Sequence, residues 1–241
     1  MFTHIRTQGI VLSKKNRGEA DQLFTLYTSD FGKIEVLGKS IRKTASKLRG
    51  GIELLSFSEI EFIEGKRHKT LTDAFFLERF LVAKKDLWKF YLMQRMAEVF
   101  FALVLEQESD KNIWNLLLKS LIGLEHKNSK TREDEKLYLY FFWNLICFLG
   151  YGPGLHHCAD CQKKITDKIY FSFSRGGIVC GGCEQDKEGD SCSISHDNVK
   201  ILRTALDRES GLFFKLRITD SHFAALNNLI NNYFQYLVNK E

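Results

Sequence analysis

The apolar residues of this chain change period near Phe80, and that change limits the folds open to it. Before it, short runs rich in β-branched and aromatic residues are separated by Gly, Asp, Asn or Ser: Gly9-Ile10-Val11-Leu12, Leu23-Phe24-Thr25-Leu26-Tyr27 and Lys33-Ile34-Glu35-Val36-Leu37. Runs of this kind read as strands bounded by turns. Ile60-Glu61-Phe62-Ile63-Glu64 alternates apolar and charged residues, as a strand with one wet face does. Gly65-Lys66-Arg67-His68 then turns into a fifth candidate, Lys69 to Phe76. Five short strands predict a small barrel, and the long connection from Lys39 to Gly51 fits a five-stranded oligonucleotide-binding (OB) barrel. On strand count alone an SH3-like barrel stays open.

After Phe80, Leu87, Tyr91, Met96, Val99 and Leu103 recur at helical spacing through Glu106. Further helices are predicted over Asn112–Glu125, Glu133–Phe148, His196–Arg208 and Ser221–Val238, with Ser195 or Asp197 and Asp220 or Ser221 as caps. The single proline, Pro153 in Gly150-Tyr151-Gly152-Pro153-Gly154, ends the helix over Glu133–Phe148. The expected architecture is therefore α+β: an OB barrel over residues 1–80 and a helical domain over 81–241, with an insertion at about 155–186. The longest strongly apolar stretch, Leu137 to Leu149, is 13 residues and contains Asn144. A membrane span needs roughly 20. Met1 to Arg6 carries no secretory pattern, so a soluble, cytoplasmic chain without a membrane partner is expected.

The insertion holds four of the six cysteines, in two pairs: Cys158-Ala159-Asp160-Cys161 and Cys180-Gly181-Gly182-Cys183. The 18 residues between the pairs fall within the spacing of zinc sites. Two residues between thiolates make a tight knuckle, and a hairpin brings the second knuckle back to complete a tetrahedron. Gly176-Gly177 and Gly181-Gly182 supply backbone freedom for those turns. Disulfides fit the expected compartment poorly, and a redox pair would need a strand-to-helix setting that neither pair has. His156 or His157 could replace a sulfur. Four thiolates leave no position for water, so one structural Zn2+ on Cys158, Cys161, Cys180 and Cys183 is expected. Cys147 and Cys192 read as packing residues.

Charge is concentrated at the front. The formal net charge is +5, and residues 1–80 hold 14 basic against 10 acidic side chains. Lys39, Arg42, Lys43, Lys47 and Arg49 lie in the long connection with no acid among them. Lys66, Arg67 and Lys69 cluster at the turn between strands four and five, and Lys14, Lys15 and Arg17 in the first inter-strand loop. Loops after strands one and four flank the ligand face of an OB barrel. These eleven residues are therefore the candidate nucleic-acid-binding set, with Tyr27, Phe31 or Phe57 as candidate stacking rings. Trp88, Trp114 and Trp143 are expected in the core.

Enzyme chemistry finds no foothold. Gly38-Lys39-Ser40 resembles the end of a phosphate-binding loop, but Lys33 stands where that motif needs Gly. There is no Gly-x-Ser-x-Gly and no His-Glu-x-x-His. No catalytic residue is expected.

In order and spacing, the fragments together resemble the RecO family of recombination mediators. In the first half these are Gly9-Ile10-Val11-Leu12, Gly18-Glu19-Ala20-Asp21, Gly32-Lys33-Ile34 and the Gly38–Gly51 basic stretch. In the second half they are Phe148 to Pro153, Cys158-x-x-Cys161, Phe171-Ser172-Phe173-Ser174-Arg175-Gly176-Gly177, Cys180-x-x-Cys183 and the closing helix with Leu226, Ile230, Tyr233 and Phe234. Asn227, Asn228, Asn231 and Asn232 depart from the basic residues expected in that helix. The resemblance implies an OB domain, a helical domain with an inserted zinc ribbon, and no nucleotide hydrolysis. It further implies binding of single- and double-stranded DNA and annealing of complementary strands. The implied partners are RecR and the acidic C-terminal tail of the single-stranded-DNA-binding protein, in loading RecA. From the residues alone, a zinc-stabilised RNA-binding module and a protein adaptor stay open.

Overall fold

The computed structural model describes residues 3–65, 68–105, 109–126, 131–184, 190–207 and 211–240. It forms two compact units, Met1–Lys130 and Thr131–Glu241.

The first unit is built on a closed barrel of β1 (His4–Arg17), β2 (Asp21–Thr28), β3 (Gly32–Gly38), β4 (Phe57–Glu64) and β5 (Lys69–Glu78). Neighbours run β1-β2-β3-β5-β4 and back to β1, with β3 and β5 parallel and the other pairs antiparallel. This closed five-stranded barrel is OB-like. Strand β1 serves two partners. His4 to Ile10 pair with β4, while Gly9 to Arg17 pair with β2 across a bulge between Val11 and Ser13.

The interior follows period two. Val11, Phe24, Leu26, Ile34, Val36, Ile60, Phe62 and Leu71 fill it, joined by Ile41 and Ile52 from the long connection. The first two runs are apolar on both faces for a reason the barrel alone does not supply. Ile10 and its cross-strand partner Tyr27 lie outside the interior cluster, yet are 0% and 1% exposed. Helices α2 (Leu87–Leu103) and α3 (Lys111–Glu125) cover that outer face. The Tyr27 ring meets Phe100 at 4.7 Å and Trp114 at 6.3 Å, and its hydroxyl accepts from the Asp110 N–H. Strand β4, with Ser58, Ile60 and Phe62 buried, keeps the simple alternation because its outer face is wetter.

A short helix α1 (Leu81–Lys85) leads from β5 into α2, and the N–H groups of Val82 and Ala83 donate to the Glu125 carboxylate closing α3. That carboxylate satisfies donors that every helix start leaves unpaired. Asp86 and Asp110 cap α2 and α3 with their side chains. The helix expected through Glu106 ends at Leu103, and Glu106 lies outside the described residues.

In the second unit, α4 (Thr131–Phe148), α5 (His196–Ala205), α6 (Gly211–Lys215) and α7 (Asp220–Lys240) accompany a three-stranded sheet. Its strands are β6 (Ile169–Ser172), β7 (Gly177–Cys180) and β8 (Ser191–Ile194), in the order β7-β6-β8. Trp143 of α4 is fully buried, with Phe171 of β6 and Tyr233 of α7 at 5.9 and 6.0 Å. This aromatic contact fastens the cysteine-bearing sheet to the helices. Asn144, the polar residue in the longest apolar stretch, donates to the carbonyls of Tyr140 and Ala205 and so satisfies the end of α5. Among the described residues no helix is long and apolar enough to cross a membrane.

Trp114 and Trp143 are core residues as expected, but Trp88 is 38% exposed and stacks on Tyr91 at the surface of α2. Periodicity places it on the helix without fixing which face is covered.

Where the long connection ends, Gly51 passes so close to β5 that a Cβ there would sit 1.7 Å from the Ala74 carbonyl oxygen. Gly51→Ala is therefore expected to destabilise the barrel by about 2–4 kcal/mol, since backbone, not a mobile side chain, must yield. Urea denaturation checks this; a midpoint equal to that of the parent chain would contradict the close approach.

Candidate nucleic-acid interface and metal centre

The chain leaving β3 is sewn to the turn between β1 and β2. Arg42 donates from its backbone N–H to the Ala20 carbonyl (3.0 Å) and from Nη1 to the Glu19 carbonyl (2.9 Å). Ser40, with φ 52°, donates its N–H to Asp21 Oδ1 at 2.7 Å. Between them Ile41 drops into the barrel interior, 2% exposed, beside Phe24 and Gly38. A buried isoleucine thus fixes a loop whose remaining side chains, Lys39, Arg42 and Lys43, stay in water.

A third segment meets the same place. Val36 of β3 pairs with Lys69 at the start of β5, and Arg17 Nη1 lies 2.9 Å from His68 Nε2. The turn after β1, the loop after β3 and the turn after β4 therefore converge around the C-terminal end of β3. Arg17, Lys39, Arg42, Lys43 and Lys69 come together there. Lys69 is partly neutralised by Glu64 Oε1 at 3.4 Å, a surface pair worth about 1 kcal/mol or less. Lys47 and Arg49 sit farther along, on a 3-10 turn (Lys47–Gly50) whose Leu48 packs toward the interior. Lys66 and Arg67 lie outside the described residues.

Lys14, Lys15 and Arg17 do not form a loop. They continue β1, opposite Phe24, Leu23 and Asp21, and the turn is confined to Gly18-Glu19-Ala20, where Gly18 takes φ 61°. Loss of apolar residues after Leu12 reads as the end of a strand, whereas the backbone ladder continues past the bulge. The cations are thereby held on a ribbon, exposed on its surface. Among the expected stacking rings, Tyr27 is consumed by packing on α2 and α3, and Phe57 packs edge-on against Trp114 at 5.9 Å. Phe31 is 41% exposed at the turn after β2, its ring against the edge of Phe62.

The cysteines meet as their spacing requires. The four sulfurs of Cys158, Cys161, Cys180 and Cys183 lie within 4.8 Å of one another. Cys161 and Cys180 Sγ are 3.9 Å apart. Tetrahedral zinc with bonds near 2.3 Å demands an edge of about 3.8 Å. The group could hold a metal ion, and its all-sulfur donor set suits Zn2+. His156 and His157 are not part of it.

Each knuckle is shaped locally. Gln162 takes φ 59° and returns its N–H to the Cys158 carbonyl, while Cys183 and Glu184 donate to the Cys180 carbonyl. Gly181 and Gly182 were expected to supply unusual backbone angles, but neither has positive φ. Gly176 does, at 58°, in the turn between β6 and β7, and Gly177 is needed because a Cβ would meet the Gly154 carbonyl oxygen at 2.6 Å. Arg175 in the same turn pairs with Asp160 of the first knuckle. Burial raises the Cys158 thiol, but backbone N–H groups of Cys161, Cys180 and Asp160 outweigh it and bring it down to about 6. Hydrogen bonds with the Cys180 and Cys161 sulfurs push Cys183 up to about 12. A bound cation would convert all four to thiolates. Burial raises Cys147 and takes Cys192 to about 11, in keeping with packing roles.

Comparison with known proteins agrees with this arrangement. Residues 1–80 match the family model described as recombination protein O N terminal, and residues 84–241 match recombination protein O C terminal. The chain belongs to the RecO family. A DNA repair protein RecO from Dehalococcoides mccartyi is 31% identical over 237 residues, 98% of this chain and 91% of that one. Its counterpart from Acetivibrio thermocellus is 28% identical over 240 residues, covering 99% and 94%. A third, from Caldicellulosiruptor saccharolyticus, is 27% identical over 238 residues, covering 98% and 94%.

For this RecO-family chain, Cys180→Ser is expected to remove tight metal binding and to cost at least about 2 kcal/mol, or roughly 4–8 °C in Tm. Metal content by mass spectrometry and a thermal melt check it. Parent protein that stays metal-free and equally stable in excess zinc would refute a structural metal.

Proposed function

We propose that this chain binds single- and double-stranded DNA through the cations gathered around the C-terminal end of β3 and anneals complementary strands without ATP. The observation carrying this reading is the convergence of three basic segments beside a barrel whose interior and one outer face are already filled. Lys39, Arg42 and Lys43 are exposed there, with Lys14 and Lys15 exposed on the adjoining stretch of β1, where they can displace the counterions of a phosphate backbone. Repulsion between two polyanions slows annealing, and a surface that releases counterions from both lowers that barrier. Contacts to phosphate leave base edges free to pair, so little sequence preference is expected.

In the same reading residues 1–80 hold DNA and residues 81–241 support and recruit. The four cysteines carry one structural Zn2+, and no reaction is catalysed. The partners are RecR and the acidic tail of the single-stranded-DNA-binding protein, with RecA loaded indirectly, in the cytoplasm at the nucleoid. Membership of the RecO family and the names of the relatives, all DNA repair proteins, support this assignment.

The variant K15E/K39E/K43E tests it. These three are preferred to Arg42, which holds the β1–β2 turn. Affinity for a thymidine 30-mer should fall at least about tenfold near 0.1 M salt, and the log–log salt slope should flatten by about 2, three contacts at roughly 0.7 each. The thermal melt should be unchanged. An unaltered salt slope removes this surface from DNA binding. Tighter binding of a matched RNA would make the chain an RNA module, and no binding of either polymer by the parent protein would make it an adaptor.

A further inference from the structure

A second cationic feature lies within the unit Thr131–Glu241. Lys164 beyond the first knuckle, and Lys200 and Arg203 of α5, line a cleft of about 430 Å³ between α5 and the cysteine-bearing sheet. Its floor is aliphatic, formed by Ile169 of β6, Ile178 of β7 and Val199 of α5, all buried. His156, His157 and His196, exposed at the rim, add ring N–H donors. No carboxylate lines the cleft among the described residues. Asp197, next in sequence to His196, is turned to Lys200 at 3.0 Å, in an exposed pair.

The three cations are not equivalent. Arg203 donates from Nε and Nη2 to the Leu155 carbonyl, which fixes its guanidinium at the wall without cancelling its charge. Lys164 has no ion pair among the described residues. Cations of one sign along an apolar wall focus their field into the cleft, because that wall screens poorly. Positive charge from two separate elements exceeds what a single carboxylate neutralises and suits phosphates recurring along a strand. Among the described residues no Phe, Tyr or Trp lines the cleft, which leaves the rim imidazoles as its only rings. Contact would be to the backbone.

We propose that this cleft is a second phosphate site, taking the sugar-phosphate backbone of one DNA strand. It rests on the reading of the chain as a DNA-annealing protein, and gives that reading one foothold in each unit. Two strands can then be held by one chain, and annealing, more than the binding of a single strand, should depend on the cleft.

The test uses the full-length chain and K164E/K200E, with Arg203 kept because it holds Leu155. Side-chain NMR signals of His156, His157 and His196 are followed during addition of a thymidine 10-mer, inorganic phosphate, or a hexaglutamate peptide. The 10-mer and phosphate should both shift the three imidazoles, and K164E/K200E should abolish the shifts. In that variant annealing should slow about fivefold or more while single-strand affinity changes less than about twofold. Shifts produced by hexaglutamate and not by the 10-mer would make the cleft a peptide site and overturn the proposal, as would parental annealing by K164E/K200E. The barrel variant K15E/K39E/K43E separates the two readings. Imidazole shifts that persist there, with DNA affinity unreduced, uphold the cleft and sink the barrel surface. Loss of affinity there with no imidazole shift in the parent chain does the reverse.

Discussion

Everything in the first unit depends on β1 making hydrogen bonds along both edges. Its first half closes the barrel against β4, and its second half runs on with β2 as far as Arg17. The exchange of partners occurs at the bulge after Val11, whose N–H donates to the Ser56 carbonyl and whose carbonyl accepts from the Leu55 N–H. A bulge bends a strand and sharpens its twist. Beyond the bulge, Arg17 meets His68 and the β1–β2 turn meets the loop that follows β3. The gathering of cations is thus a consequence of barrel closure, not of local sequence.

How much of this was readable from sequence varies with the physics involved. Period two in Ile60–Glu64 and the two-faced apolar runs before it are burial signals, and they located all five strands. The ends of β1 were hidden because Lys14, Asn16 and Arg17 bury nothing; backbone pairing alone keeps them in a strand, and it leaves no mark on composition. Tyr27 and Phe57 could equally stack on bases or pack on helices until α2 and α3 are placed. Trp88 shows the converse, a large ring on a regular helix left at the surface because nothing in this unit's sequence specifies a partner for that face.

The cysteine spacing was legible because ligand geometry tolerates few alternatives. The rest of that segment was not. Strand β8 is four residues, Ser-Cys-Ser-Ile, with no periodicity long enough to detect, and it exists because β6 offers it a free edge. The knuckle that needs a left-handed residue uses Gln162, whose side-chain amide donates to the Ala159 carbonyl, while the glycines Gly181 and Gly182 of the other knuckle do not take positive φ. Glycine in a sequence permits a conformation without requiring it. The knuckles are held by backbone N–H groups that donate to the Cys158, Cys180 and Lys163 carbonyls, contacts that join residues close in sequence but carry no residue-type signature.

The same separation of forces explains why charge could be left exposed. In the first unit the loops are anchored by apolar side chains set beside the cations: buried Ile41 next to Arg42, and partly buried Leu48 between Lys47 and Arg49. Burying an isoleucine such as Ile41 contributes about 1.5–3 kcal/mol, enough to fix a short loop, whereas exposed ion pairs contribute little. Stability and charge therefore fall to neighbouring residues with opposite requirements. The lysines need no carboxylate to hold the fold, and so keep their charge for a polyanion. Arg42 is used both ways, its guanidinium bonded to the Glu19 carbonyl while its positive charge remains unpaired by any acid among the described residues.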